Sequence, residues 1–265
     1  MAPIKFSDIA SGPSDLLSDD YTSKVTLKCK KNAGPVAVTI ETNRGSGGDL
    51  TSKIGTKFSY AGLSFDKVQL QADGNQVFES SMSPASGVKL SFKGNKGADL
   101  GCDYKTGNIC ATGKLDVKDF SKLSTSVCAS LSSGITVGGD ASYSIEKSSI
   151  SAFNVGASYS KGPLFAAATS ANKISSVTLG LLYKVNPTLT LASTSTHSSE
   201  KPCDLAAVGG AYKSGFGDIK AKVESSGLVS ACIVKEIAPK VSVTASGSVT
   251  PSDFSTFKYG LGISM

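Results

Sequence analysis

The chain has 265 residues, 18% charged and 40% hydrophobic, with 27 Lys and Arg against 21 Asp and Glu for a formal charge of +6. Its wholly apolar runs are short, of the kind at Leu164 to Ala168, whereas a membrane-crossing helix needs about 20 such residues, so any membrane passage must be made by strands. The positive excess is not gathered into a basic tail or helix, which argues against nucleic-acid binding as a primary role.

In chain order, the first element differs from all the rest. Within "MAPIKFSDIASGPSDLL", Phe6, Ile9, Leu16 and Leu17 have the spacing of one side of a short helix, and Gly12-Pro13 should divide it in two. The start has neither the apolar centre of a secretory signal nor the Arg-rich character of a transit peptide, so Met1 onward is expected to belong to the mature protein. After residue 21 the pattern changes to period two. Val25, Leu27 and Cys29 alternate with Lys24, Thr26, Lys28 and Lys30; Val36, Val38 and Ile40 follow, then Ile54 and Phe58 opposite Lys53 and Lys57. In "SGVKLSFKGNKGADLGCDY", Val88, Leu90 and Phe92 alternate with Lys89, Ser91 and Lys93, and beyond the Gly-Asn-Lys-Gly turn Leu100, Cys102 and Tyr104 alternate with Asp99, Gly101 and Asp103. The same alternation recurs to the end, where Phe257, Tyr259, Leu261 and Ile263 face away from Lys258 and Ser264. Cutting at turn signals yields about nineteen segments of about ten residues, those around Leu164, Ala206 and Val229 being weak.

A greasy face and a charged face suit two opposite architectures. In a soluble sandwich the greasy face meets a dry core, and in a membrane barrel it meets lipid while the charged face meets a wet lumen. Here the apolar face is thin and rich in Ala, Val and Gly, there is no Trp, and the repeat matches the roughly 9 to 11 residues of a tilted membrane strand. The reading is therefore an all-β transmembrane chain: one closed barrel over residues 22–265, preceded by a helical segment at 1–21 that folds into the lumen. On that reading the inward lysines are Lys24, Lys28, Lys30, Lys53, Lys57, Lys89, Lys93, Lys114, Lys184, Lys220, Lys222, Lys240 and Lys258. The inward acids are Glu41, Asp99, Asp103, Asp116, Asp140, Glu146, Asp218 and Glu224. Any one such lysine only solvates the wall, but together they bias the lumen toward anions without excluding cations.

Enzymatic chemistry finds no support. His197, the only histidine, lies in the turn-like "STSTHSSEKP" without a nucleophile motif of the GxSxG kind, and reads as a solvated loop residue. "GNICATGKL" lacks the glycine spacing and the hydroxyl of a phosphate loop. The six cysteines, Cys29, Cys102, Cys110, Cys128, Cys203 and Cys232, form no CxxC pair and stand beside no histidines. That argues against a metal centre and favours a reducing compartment; Cys29 and Cys102 fall on the lipid face as small hydrophobes. No cofactor is expected.

The stretches "FSDIASGPSDLLSDDY", "GVKLSF", "FNVGASY", "IKAKVESSGLVSACIVKEIAPKVSVTASGSV" and "FKYGLGISM", in this order and spacing, resemble the mitochondrial porin family, the voltage-dependent anion channels of the outer mitochondrial membrane. The resemblance covers nearly the whole chain. It implies nineteen strands, a parallel closure between the strands at Val25 and Leu261, and an N-terminal helix in the lumen with Phe6, Ile9 and Leu16 as a gating element. It also implies a voltage-gated, weakly anion-selective pore for ions, nucleotides, phosphate and organic acids, in contact with membrane lipids and compatible with a homo-oligomer. Gly87, Val88 and Lys89 match the family's Gly-Leu-Lys nucleotide-associated motif, with Val in place of Leu. Two features depart from the family. The prefix sets Lys5 against Asp8, Asp15, Asp19 and Asp20 rather than carrying a basic helix, and the membrane-facing acid of strand four has only Asp66 near it. The Leu63 and Phe65 phase turns Asp66 inward and the Val68 and Leu70 phase turns it outward, a conflict that a bulge would resolve. Two rival readings are a protein-import barrel, which usually carries a longer N-terminal extension, and a structural barrel within a larger assembly.

Overall fold

The computed structural model describes residues 3–45, 47–131, 133–171, 173–198 and 205–265; Cys203 lies outside them. After a 3-10 turn at Phe6–Asp8 and a helix α1 (Ser11–Ser18), the chain forms nineteen strands. The first ten are β1 (Val25–Ala33), β2 (Val36–Arg44), β3 (Leu50–Tyr60), β4 (Leu63–Gln71), β5 (Gln76–Ala85), β6 (Val88–Gly94), β7 (Ala98–Thr106), β8 (Ile109–Asp116), β9 (Lys122–Ser130) and β10 (Ile135–Ser144). There follow β11 (Ser149–Lys161), β12 (Leu164–Ala171), β13 (Ser176–Lys184), β14 (Leu189–Ser198), β15 (Leu205–Ser214), β16 (Gly217–Glu224), β17 (Val229–Ala238), β18 (Val241–Thr250) and β19 (Asp253–Ser264). The three weak segments are all strands.

Each strand pairs antiparallel with the next, and β19 returns to pair with β1, so one sheet closes on itself. With an odd number of strands the last runs in the direction of the first. The closing pair is accordingly parallel, with Val25 opposite Leu261 and Leu27 opposite Ile263. Closure leaves no open edge, which is the condition for strands to exist in lipid, where an unpaired backbone group costs several kcal/mol.

The greasy face is outside. Val127 is 54% exposed, Leu181 54% and Tyr259 68%, values a soluble core would not tolerate and a lipid-facing band requires. On this outer face Phe58, Phe65, Phe78 and Phe92 form a ladder across four strands, with ring centroids 4.6, 5.9 and 6.1 Å apart. Beside the ladder the β3–β4 register slips between Thr56 and Phe58, and the β4–β5 register slips between Phe65 and Lys67. One extra residue at Asp66-Lys67 lets Leu63 and Phe65 share the outer face with Val68 and Leu70, so the expected bulge is present.

Strand parity also sorts the connections. The nine turns that lead from an odd to an even strand hold two residues, or four at 131–134 and 185–188; they form a short-turn rim. Those from even to odd strands that the structure describes, apart from 251–252, hold three to five and form the opposite, long-turn rim.

Candidate functional site: the lumen and the helix that lines it

The prefix lies inside the barrel along one wall. Its 3-10 turn rests on β9 and β10, and α1 on β13 to β16. Two helical pieces are present as expected, but the break falls at Ile9-Ala10, not at Gly12-Pro13. Pro13 sits in the first turn of α1, where its missing N–H would have had no helical acceptor, so it starts the helix instead of interrupting it.

What receives the prefix is a set of inward positions with little or no side chain. The Phe6 ring lies over Gly138 and Gly156, where an added Cβ would stand 3.1 and 3.2 Å from it; Pro13 covers Gly180 at 3.2 Å, and Leu17 covers Gly209 at 2.8 Å. Leu17 also packs with Ala192 and Ala207, while Leu16 only flanks that cluster. Ile9 is 1% exposed, as are Cys110 and Cys128, which face each other across β8 and β9. Phe6 and Ile9 therefore lie on the wall, whereas the deepest contact of α1 is made by Leu17, one residue beyond Leu16. In a regular helix neighbouring residues point about 100° apart, so only one of the two leucines can face the wall.

Polar contacts tie down both ends of the prefix. Lys5 Nζ pairs with Asp103 at 2.6 Å and Lys220 Nζ with Asp20 at 2.7 Å. The Thr22 backbone N–H donates to Ser246 Oγ at 3.2 Å, and that hydroxyl donates back to the Thr22 carbonyl at 2.5 Å. Tyr21 lies under the Lys222 ammonium, 4.8 Å from its ring centroid. Burial first, and then Cys232 and Asp20, hold the Tyr21 phenol well above its usual range.

The remaining wall carries ion pairs. Glu41 accepts from Lys53 at 2.7 Å and lies 3.7 Å from Lys28; Lys93 reaches Glu79 at 2.8 Å and Lys222 reaches Glu224 at 2.8 Å. Asp66 faces the lumen: Ser64 and Ser81 donate to it at 2.9 and 2.5 Å, with Lys89 at 3.6 Å and Lys57 at 3.8 Å. Between this wall and the 3-10 turn lies a water-accessible cavity of about 1010 Å³, bordered by Lys89, Lys93, Lys114, Asp99, Asp103 and Asp116. Partly exposed pairs of this kind contribute about 0 to 1 kcal/mol each, so their effect is on the local field more than on stability.

The expected lysines thus divide. Lys28, Lys53, Lys57, Lys89, Lys93, Lys220 and Lys222 share carboxylates. Among the described residues, Lys30, Lys114, Lys184 and Lys258 follow the inward phase and stand in no ion pair. Lys24 lies in the bend before β1, continuing its inward phase. Lys240 is not on a strand wall: it occupies the β17–β18 turn with φ 68°. Glu146 likewise sits in the turn between β10 and β11. Register adds inward residues that alternation around single segments missed, namely Glu79 opposite Lys93, Lys67 opposite Glu79, Lys105 opposite Cys110, and Lys213 opposite Asp218. His197 belongs to the end of β14 and not to a loop, in the outward phase, with Ser195 Oγ 3.1 Å from its Nε2.

The Gly87-Val88-Lys89 segment has a structural account of its own. Gly87 forms the β5–β6 turn with φ +78°, and a Cβ there would collide with the Lys105 carbonyl. Val88 points to lipid, and Lys89 points inward to Asp66. The glycines that locate the prefix are the inward ones: Gly138, Gly156, Gly180 and Gly209 all occupy the lumen-facing phase of their strands.

A closed barrel with a greasy exterior, a polar interior and a wall-bound helix defines a membrane pore for small solutes. The model of the eukaryotic porin family matches residues 2–261, and the chain belongs to that family. The mitochondrial outer membrane protein porin of Candida albicans is 23% identical over 281 residues, spanning 100% of this chain and 99% of that protein. Among solved structures, a mutant of the Rh. blastica porin aligns with TM-score 0.51 at 12% identity, covering 91% of this chain and 95% of that one. A triple mutant of Rhodopseudomonas blastica porin aligns with TM-score 0.50 at 14% identity over the same shares. At these identities the structural likeness concerns the fold. Family and barrel together place the chain among outer-membrane β-barrels.

Proposed function

We propose that this pore resides in the mitochondrial outer membrane and passes nucleotides, phosphate and organic acids with a weak preference for anions. The single observation behind the preference is the unpaired set on the lumen side, in which Lys30, Lys114, Lys184 and Lys258 have no carboxylate partner among the described residues. Mitochondrial placement rests on the likeness to the Candida mitochondrial outer membrane porin. At physiological salt the Debye length is about 8 Å, so wall charge acts on ions near the wall and is screened at the centre of a wide pore, which makes a weak preference the expected one. Voltage sensitivity is assigned to the prefix, whose Asp8, Asp15, Asp19 and Asp20 outnumber Lys5 and which is held by small apolar contacts and two ion pairs. Lys89 would meet a nucleotide phosphate only by giving up Asp66. Planar-bilayer recordings in a salt gradient test the reading: a reversal potential displaced toward the anion side supports it, and cation selectivity at low salt reverses its sign. Channels formed without residues 1–20 should conduct with altered voltage dependence.

A further inference from the structure

The formal excess of +6 is not spread along the pore. Counting the side chains of turn residues and of the four strand residues on either side, the short-turn rim holds eleven lysines against four acidic side chains, Asp66, Asp103, Asp218 and Glu236. Its net is 11 − 4, or +7. On the long-turn rim the same count over described residues gives ten basic and ten acidic side chains. There most cations have an acid close by in sequence, Lys173 being an exception: Asp116 and Asp119 flank Lys118, Glu146 adjoins Lys147, and Glu224 follows Lys222 by two.

Pairing sharpens the contrast. Among the described residues, Lys30, Lys105, Lys184, Lys213 and Lys240 on the short-turn rim stand in no ion pair. Of the acids at that end, Asp66 is shared by Lys57 and Lys89, and Asp103 is taken by Lys5 of the prefix. Four of those five lysines follow the inward phase and Lys240 lies in a turn, so their ammonium groups border the mouth instead of lipid.

We propose that the pore is electrically polar along its axis, with the short-turn mouth acting as the anion collector and specificity filter, so that it passes more current in one direction than in the other. The inference rests on the pore reading. Ions that enter through the charged mouth are mostly anions; driven onward into the balanced half, they accumulate there with incoming cations, and the opposite polarity depletes both. The effect grows as screening weakens, since the Debye length lengthens from about 3 Å at 1 M to about 30 Å at 0.01 M. Net charge alone has no direction and produces no such asymmetry.

The test records single channels in symmetric KCl at 1 M and 10 mM. The intact channel should give equal currents at opposite voltages in 1 M salt, where screening is short, and a ratio clearly above one in 10 mM, where it is long. Replacing Lys30, Lys105, Lys184, Lys213 and Lys240 by Gln should bring that ratio to one. Replacing Lys96, Lys118, Lys122, Lys147 and Lys173 by Gln removes the same charge from the other rim and should keep or raise it. Circular dichroism in detergent establishes that both variants keep their strands; should the first lose them, Lys105→Gln with Lys184→Gln alone must still lower the ratio. Conducting channels whose currents stay equal at 10 mM, or that respond alike to the two sets, overturn the axial inference and leave the pore standing. A folded protein that carries no current overturns the pore reading itself.

Discussion

The two halves of the inner wall follow different rules. From β9 to β16 the inward positions under the prefix include Gly138, Gly156, Gly180, Ala192, Ala207 and Gly209, beside the apolar Phe165 and Leu182, and the prefix fills the space the small residues leave. From β1 to β8 the corresponding positions carry Glu41, Lys53, Asp66, Lys89 and Lys93, tied into ion pairs beside open water. On the outside the halves are alike, with Leu90 and Leu181 both in the lipid-facing phase. The difference teaches that one alternating sheet can hold a buried apolar interface and a wet ionic one at the same time, provided that each is confined to a sector of the inner face. The prefix is then a graft onto one sector, not a plug.

The largest effect should come from challenging the face that both halves share. Leu90→Arg and Leu181→Arg each put a charge against lipid and should cost about 2 to 4 kcal/mol near the midplane, read as loss of folded barrel in bilayer-refolding titrations. Ser91→Arg, one residue over, should be tolerated because it points to water; equal losses at 90 and 91 would break the alternation model. Next in size is Leu17→Ala, which empties the deepest contact of the berth. Full burial of a leucine would make this about 2 to 5 kcal/mol, and here the loss should fall on the prefix alone. Protection of the 11–18 amides against hydrogen exchange should drop while the strand amides keep theirs.

Gly180→Val approaches the same sector from the wall. Its new Cβ meets only Pro13 atoms, at 3.2 and 3.4 Å, so the strands are spared and α1 must lift, at a cost of about 1 to 3 kcal/mol for overpacking. Faster proteolysis of the prefix in an intact barrel is the expected result; unchanged proteolysis would mean that α1 does not depend on this berth. The smallest stability effect belongs to the ionic half. Glu41→Gln releases Lys28 and Lys53 from their shared partner and should change stability by less than about 1 kcal/mol. The reversal potential in a salt gradient should nevertheless move toward anions, and an unmoved potential would show that this sector does not face the ion stream.

Much of this architecture is already legible in the order of residues. Successive side chains on a strand must point to opposite faces, so Val88, Leu90 and Phe92 against Lys89, Ser91 and Lys93 declare two environments before any fold is known. Turn signals spaced for membrane strands account for the barrel and the approximate number of its strands, and the change of period after residue 21 marks the prefix. Local patterns could not decide what depends on closure and register. Asp66 was ambiguous because two phases meet there, and only the pairing with β3 and β5 places the extra residue that turns it inward. Pro13 looked like a break because its neighbours alone do not say which turn of the helix it occupies. The berth was hidden for a related reason: an inward glycine has no side chain to mark its face, and its use appears only when Phe6, Pro13 and Leu17 arrive from residues far away in sequence. The uneven charge of the two rims is likewise carried by residues that anyone can count, but it becomes a property of the molecule only when strand parity sends alternate turns to opposite sides of the membrane.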